Sequence, residues 1–295
     1  MLLLSVLAQP FCAAEVETGS ITLEYTHSDL TFAGQSVSLY RVARVTSEGE
    51  CVLVPPFDAF PVNMNGITSN TEWQDTADTL SSYIVAEQLE ADRTVLTDEN
   101  GVARFTGLEL GVYLVAGVSA PHEDGHYEFE NFCIFLPTPQ DDGTYDHDLN
   151  ARPKSQFVAN PIAPEMQTYR VTKVWKDSGS TSRPTQITVD ILKDGVLHET
   201  VSLHADNNWT YQWQAVSGSK WSVVERDVPD GYKVAITQND TIFQITNTGA
   251  TESDRPQTGD TAALWLYVLA MCLSGFGLLI IAIGAKRRTD REKNQ

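Results

Sequence analysis

Three residues with complementary chemistry stand at corresponding places in three short apolar segments: Lys173, Glu225 and Asn247. Side chains alternate along a strand. Tyr169, Val171, Lys173 and Trp175 therefore share one face, as do Trp221, Val223 and Glu225, and as do Phe243, Ile245 and Asn247. Burying a lone ammonium or carboxylate costs several kcal/mol unless it is paired. One cation, one carboxyl and one amide on three apolar faces are thus expected to meet. Desolvation lowers the pKa of a lysine and raises that of a glutamate. A neutral Lys173 amine is a nucleophile, and a protonated Glu225 can polarise the Asn247 carbonyl and move protons. Attack would join Lys173 to Asn247 as an amide and release ammonia, with proximity supplied by the fold. The plainer reading of the same residues is a Lys173–Glu225 ion pair capped by Asn247.

These residues need a scaffold of strands, and the chain from Tyr169 to Thr248 has that pattern. Short apolar-polar runs are separated by turns at Asp194-Gly195, Ala205-Asp206-Asn207 and Pro229-Asp230-Gly231, as expected of a β-sandwich. Upstream, Ile21, Leu23 and Tyr25, then Val37, Leu39, Tyr40 and Val42, alternate as strands do. Trp73, Ala77, Leu80 and Ile84 recur at helical spacing, predicting a helix over about 71–91 with Asn70 or Thr71 as its cap. Strands resume at Thr94-Val95-Leu96, turn at Asp98–Gly101, continue from Ala103 to Leu114, and end with Asn131–Leu136. Asn160-Pro161-Ile162-Ala163-Pro164 reads as a stiff linker.

Both ends read as targeting segments. Ala262 to Ala285 is 24 residues without a charge, followed by Lys286-Arg287-Arg288. At about 1.5 Å per residue a helix of that length crosses a hydrocarbon core, with the basic cluster inside the cell. Leu2–Ala8 and Cys12-Ala13-Ala14 resemble a secretory signal cleaved after about Ala14. The expected organisation is a signal peptide (1–14), a first β domain (15–158), a linker (159–168), a second domain (169–249), a spacer and signal (250–260), a transmembrane helix (262–285) and a basic cytoplasmic tail (286–295).

The net charge of −19 is confined to one part of the chain. Residues 1–153 carry 24 Asp and Glu against five Arg, and the remainder carries 15 of each sign. An acidic exported part excludes nucleic acid as a partner. There is no lysine before Lys154. Cys12 and Cys272 fall in the terminal segments, leaving Cys51 and Cys133, for which an oxidising compartment favours a disulfide, two buried free thiols being the alternative. His122-Glu123-Asp124-Gly125-His126 fits the HExxH spacing, but zinc ligation there needs both histidines on one helical face, and Pro121 and Gly125 oppose a helix. No metal site, no cofactor and no catalytic set beyond the autocatalytic one is expected.

Val171-Thr172-Lys173-Val174-Trp175, Arg183-Pro184, Asn207-Asn208-Trp209-Thr210-Tyr211, Val223-Val224-Glu225, Pro229-Asp230-Gly231-Tyr232 and Ile245-Thr246-Asn247-Thr248 together resemble the B-type repeat of collagen adhesins, Cna_B. That resemblance implies an immunoglobulin-like sandwich with an internal Lys–Asn isopeptide bond on Lys173 and Asn247, catalysed by Glu225. Arg255-Pro256-Gln257-Thr258-Gly259 resembles the Leu-Pro-x-Thr-Gly sorting signal of Gram-positive surface proteins, with Arg255 where Leu is usual. In that family sortase cuts after the Thr and joins it to an amine. Asp98–Gly101, Phe105–Leu108 and Gly111–Val115 resemble, less closely, the N-terminal domain of backbone pilins, and Tyr145–Lys154 resembles the pilin motif ending in Tyr-Pro-Lys, with Arg152 replacing the Tyr. Lys154 would be the amine acceptor there. The expectation is a mainly β protein: two immunoglobulin-like sandwiches in tandem, the first with an inserted helix, followed by a transmembrane helix. Its expected role is that of a sortase-polymerised, wall-anchored backbone pilin, with sortase, other pilin subunits and peptidoglycan as partners. The alternative is a monomeric wall-anchored adhesin using its second domain as a stalk, with a host matrix or surface ligand.

Overall fold

The computed structural model describes residues 17–140, 142–160, 165–177 and 183–249. The signal segment, most of the Pro-rich linker, the sorting signal Arg255–Gly259, the apolar run 262–285 and the basic tail lie outside the described residues. Among the described residues no helix is long and apolar enough to cross a membrane.

The first half is mostly β, and the expected alternation is met. In β1 (Thr18–Glu24) every second residue, Ile21 and Leu23 among them, is fully buried. The following elements are β2 (Ser36–Val45), β3 (Cys51–Leu53), α1 (Asn70–Glu87), β4 (Arg93–Leu96), β5 (Val102–Glu109), β6 (Gly111–Val115), β7 (Val118–His122), β8 (Gly125–Phe129), β9 (Phe132–Leu136), β10 (Asp148–Ala151) and β11 (Ser155–Ala159). They make three sheets, ordered β10-β1-β5, β11-β8-β7 and β9-β6-β2-β3, with β4 also on β2. The first half is therefore more than the two-sheet sandwich expected, because the β7–β8 hairpin and β11 form a layer of their own.

Helix α1 starts one residue before the expected position and ends four before it. Ser69, not Asn70 or Thr71, is the N-cap: its hydroxyl accepts from the Glu72 N–H while the Glu72 carboxylate accepts from the Ser69 N–H. This capping box is written in the sequence as Ser-x-x-Glu. Gln88 ends the helix in a left-handed conformation. The buried face holds Ala77, Leu80 and Ile84, as the spacing predicted, together with Thr76, Thr79 and Tyr83.

The second half is a sandwich of β12 (Met166–Lys176), β13 (Gln186–Lys193), β14 (Val196–His204), β15 (Thr210–Val216), β16 (Trp221–Arg226), β17 (Tyr232–Asn239) and β18 (Ile242–Gly249). One sheet runs β15-β12-β18-β17 and the other β14-β13-β16. β12 begins at Met166, inside the expected linker. The Asp194-Gly195 turn between β13 and β14 has positive φ at both residues, the conformation that suits a tight hairpin and that glycine adopts without strain. The first and last strands, β12 and β18, are parallel neighbours. The described residues up to Gly249 pack as one compact unit. Helix α1 belongs to both halves: Trp73 meets Phe135 of β9 edge-on, while the Thr79 hydroxyl accepts from the Ile236 N–H of β17.

Candidate functional site

The strand register brings the three sequence-predicted residues together. Lys173 lies on β12 opposite Ile245 of β18, and Asn247 is two residues further along β18, opposite Trp175. Both point into the sandwich, because alternate residues of β12 and β18 face inward. Glu225 reaches them from β16 in the other sheet, where it lies opposite Val189. All three are buried, with no exposed side-chain surface on Lys173 or Glu225.

Lys173 Nζ donates to Glu225 Oε2 at 2.5 Å, and Asn247 Nδ2 donates to Glu225 Oε1 at 2.9 Å. The carboxylate thus sits between amine and amide and touches both. Asn247 Oδ1 is buried and has no hydrogen-bond partner. The Lys173 ammonium also lies 4.6 Å from the centre of the Trp175 ring. Around the polar centre, Tyr169, Trp213 and Phe243 stack, and Trp221 packs obliquely on Tyr169 and Trp213. The side chains of Lys173 and Glu225 have no exposed surface, and the electrostatics follow. Burial drives the Lys173 amine down to about 8 against the opposing pull of Glu225. Burial also raises the Glu225 carboxyl, opposed by Lys173 and Asn247. Burial thus disfavours the charged form of both partners of this short hydrogen bond. A proton moving from Lys173 to Glu225 would leave a neutral amine and a carboxylic acid in contact, with the carboxyl also touching the Asn247 amide nitrogen.

The other sequence-predicted residues are placed as follows. Lys154 is exposed, just before β11, and its backbone carbonyl accepts from the Glu130 N–H at 3.0 Å. Arg152 pairs with Glu24 at 2.7 Å. Cys51 and Cys133 are free thiols rather than a disulfide. They lie on β3 and β9, opposite edges of one sheet with β2 and β6 between them. Three strand spacings cover about 14 Å if the sheet is flat, against about 7 Å between the Cα atoms of a disulfide. Burial raises the Cys133 thiol to about 12, and the charge of Cys51 adds a smaller push in the same direction. His122 and His126 lie on the two strands of the β7–β8 hairpin, not on a helix; His122 packs edge-on against Tyr127 and Phe157, and His126 pairs with Glu128 at 3.2 Å. Among the described residues no cluster of three His, Cys, Asp or Glu could hold a metal.

The sequence did not single out the contacts that α1 makes with this sandwich. Glu87 pairs with Arg226, which follows Glu225, and Arg226 also bonds Asp190 at 2.6 Å. Tyr83, 4% exposed, has no partner for its hydroxyl, and burial together with the Glu225 charge raises its pKa.

Comparison with known proteins agrees with the geometry of the second half. The Cna protein B-type domain family matches residues 169–248. The collagen adhesin of Staphylococcus aureus is 30% identical over 105 residues, which is 32% of this chain and 8% of that protein. Among solved structures, a single B repeat unit of the collagen binding surface protein of Staphylococcus aureus matches at 18% identity, covering 80% of this chain and all of that one, with a TM-score of 0.28. The full-length major pilin SpaD of Corynebacterium diphtheriae matches at 10% identity, covering 82% of this chain and all of that one, with a TM-score of 0.30. The chain spans less than a tenth of its curated relative, and the match to the Cna protein B-type domain family covers its second sandwich, residues 169–248.

Proposed function

We propose that this chain is a load-bearing cell-surface protein of a Gram-positive bacterium, a pilin subunit whose second sandwich locks itself with a Lys173–Asn247 isopeptide bond. The observation that carries this reading is the buried Lys173–Glu225–Asn247 contact between the first and last strands of that sandwich. In the reaction Lys173 passes a proton to Glu225, and the freed lone pair attacks Asn247 Cγ. Glu225 gives a proton to the amide oxygen as the tetrahedral centre forms and then assists departure of the Nδ2 group. The Nζ–Cγ bond forms, the Cγ–Nδ2 bond breaks, and ammonia leaves. Charge is lost from the core, so the product no longer carries the desolvation cost of an ion pair.

Function follows from where the bond lies. A pull on the two ends of the sandwich would shear β12 against β18. A covalent link between these strands carries that load without unfolding what lies between them. Export, anchoring and polymerisation belong to the same reading. The leader and apolar tail direct export, Thr258 within Arg255–Gly259 is the sortase acyl donor, and Lys154, exposed and without another lysine before it, is the acceptor amine of the neighbouring subunit. The collagen adhesin likeness favours a second reading, a wall-anchored adhesin with this domain as its stalk.

Two experiments separate these readings. Peptide mapping of the folded protein should find a branched peptide joining the segments of Lys173 and Asn247, absent in Glu225→Ala; linear peptides alone would remove the bond. High-mass ladders on denaturing gels of wall extracts should vanish in Lys154→Ala. Ladders that persist would remove Lys154 as acceptor, and their absence from the unmodified protein would favour the stalk.

A further inference from the structure

One of the three strands that carry the reacting residues, β16, and the edge neighbour of another, β17, are held from outside the sandwich. β17 is the edge strand beside β18, with Val234 opposite Asn247 and Ile236 opposite Ile245. On its free side the Val234 N–H donates to the Pro61 carbonyl at 2.9 Å, and the Ile236 N–H donates to Thr79 Oγ1 at 2.8 Å. Left alone, these groups would form an open sheet edge. Thr79 is fully buried, and its own hydroxyl proton goes to the Asp75 carbonyl at 2.6 Å, leaving a lone pair for Ile236. In the opposite sheet, Arg226 of β16 is held by Glu87. Thr79, Tyr83 and Glu87 are spaced by four residues, so they form one stripe of α1. The stripe runs from β17, beside Asn247, to β16, which bears Glu225.

We propose that α1, a helix of the first half, is a positioning element for isopeptide formation in the second: Thr79 acting through Ile236, and Glu87 acting through Arg226, hold Asn247 and Glu225 in reacting register, and the docked helix keeps the site dry. This rests on the reading of Lys173, Glu225 and Asn247 as reactants. Its consequence is an order of events, because the bond forms at full rate only once the first half has folded and docked. The ionisable groups involved are few. Lys173 faces Glu225, Glu225 faces Lys173 and senses Tyr83, α1 contributes Tyr83 and Glu87, and β16 and β13 contribute Arg226 and Asp190. A loosened helix admits water, and water moves Lys173 back up and Glu225 back down, shrinking the fraction of neutral amine beside carboxylic acid.

The test uses the full chain, recovered unreacted in denaturant, refolded, and quenched at intervals for intact mass. The rate of ammonia loss is recorded against pH for the unmodified chain, Thr79→Val, Thr79→Ser and Glu87→Gln. Loss of one buried hydrogen bond that sets register is expected to slow Thr79→Val about tenfold and to widen its rate profile, the acid limb moving to lower pH and the alkaline limb to higher pH. Thr79→Ser, which keeps the acceptor, should return to the unmodified rate, and Glu87→Gln should be slowed a few-fold. Unmodified rates and pH profiles in both Thr79→Val and Glu87→Gln would overturn the positioning role and leave the reactants standing. No ammonia loss in the unmodified chain would overturn the reading of the reactants themselves. Should Thr79→Val fail to refold, Glu87→Gln, altered at a half-exposed surface pair, decides the question by its rate alone.

Discussion

The two halves of the molecule solve the same mechanical problem with different residues. In each, the first strand lies parallel to a late strand: β1 beside β10, and β12 beside β18. In the first half the residues facing inward across that junction are apolar, with Ile21 opposite Leu149 and Leu23 opposite Ala151. A side-chain tie on its outer face is the Ser20 hydroxyl donating to Asp148 at 2.6 Å. In the second half the inward positions hold Lys173 and Asn247, with Glu225 between them. The same topology therefore gives one junction held by burial and hydrogen bonds and another supplied with reactants. An amine, an amide and a carboxyl are costly in a core unless they pair or react, so their presence in one junction and absence from the other marks where the proposed covalent link would lie.

The comparison can be broken or sharpened in decreasing steps. Glu225→Ala should have the largest effect. It removes the catalyst and leaves Lys173 buried without a partner, at about 3–5 kcal/mol. Losing the cross-link, which closes a loop of 247 − 173 = 74 residues, costs about 4 kcal/mol more if its chain-entropy effect matches that of a disulfide. Denaturant melts read this directly, and a stability within 1 kcal/mol of the unmodified chain (about the size of one hydrogen bond) would contradict it. Leu23→Lys imposes the buried amine of the second junction on the first without its partners. It should destabilise by several kcal/mol with no change in mass beyond the substitution, and a new cross-link there would break the contrast.

A smaller effect should appear in Asn247→Ala, which keeps Lys173 and Glu225 but cannot form the bond. Burial holds Lys173 at about 8 when folded, below its value in the unfolded chain. Between these values the unfolded state binds more protons, so stability should rise with pH from about 8 upward and flatten at the ordinary lysine value, by about 3 kcal/mol. A fall with pH over that window would show that the pair remains fully charged. The least effect belongs to Ser20→Ala, which removes an exposed hydrogen bond and should cost under about 1 kcal/mol in urea melts.

The site was legible because strand alternation is local. Knowing that Lys173 shares a face with Val171, and Glu225 with Val223, needs no knowledge of the fold, and burial then demands that the charges meet. The capping box at Ser69 and Glu72 was equally local. The partner of α1 was not legible. The bonds from Thr79 to Ile236 and from Glu87 to Arg226 join residues more than a hundred positions apart, and nothing in the helical spacing says which sheet the helix covers. The pairing of the thiols was not legible either. Cys51 and Cys133 suggested a bridge by their number and compartment, while their separation depends on the order of strands in a sheet, which pairing within single strands does not reveal.

The most direct measurement is the intact mass of the folded protein under denaturing conditions, compared with Lys173→Ala and Glu225→Ala. The unmodified chain should be one ammonia lighter than its sequence requires, and both variants should match theirs. An unmodified chain at its full sequence mass would contradict the account, leaving Lys173, Glu225 and Asn247 as a buried ion pair with an amide cap.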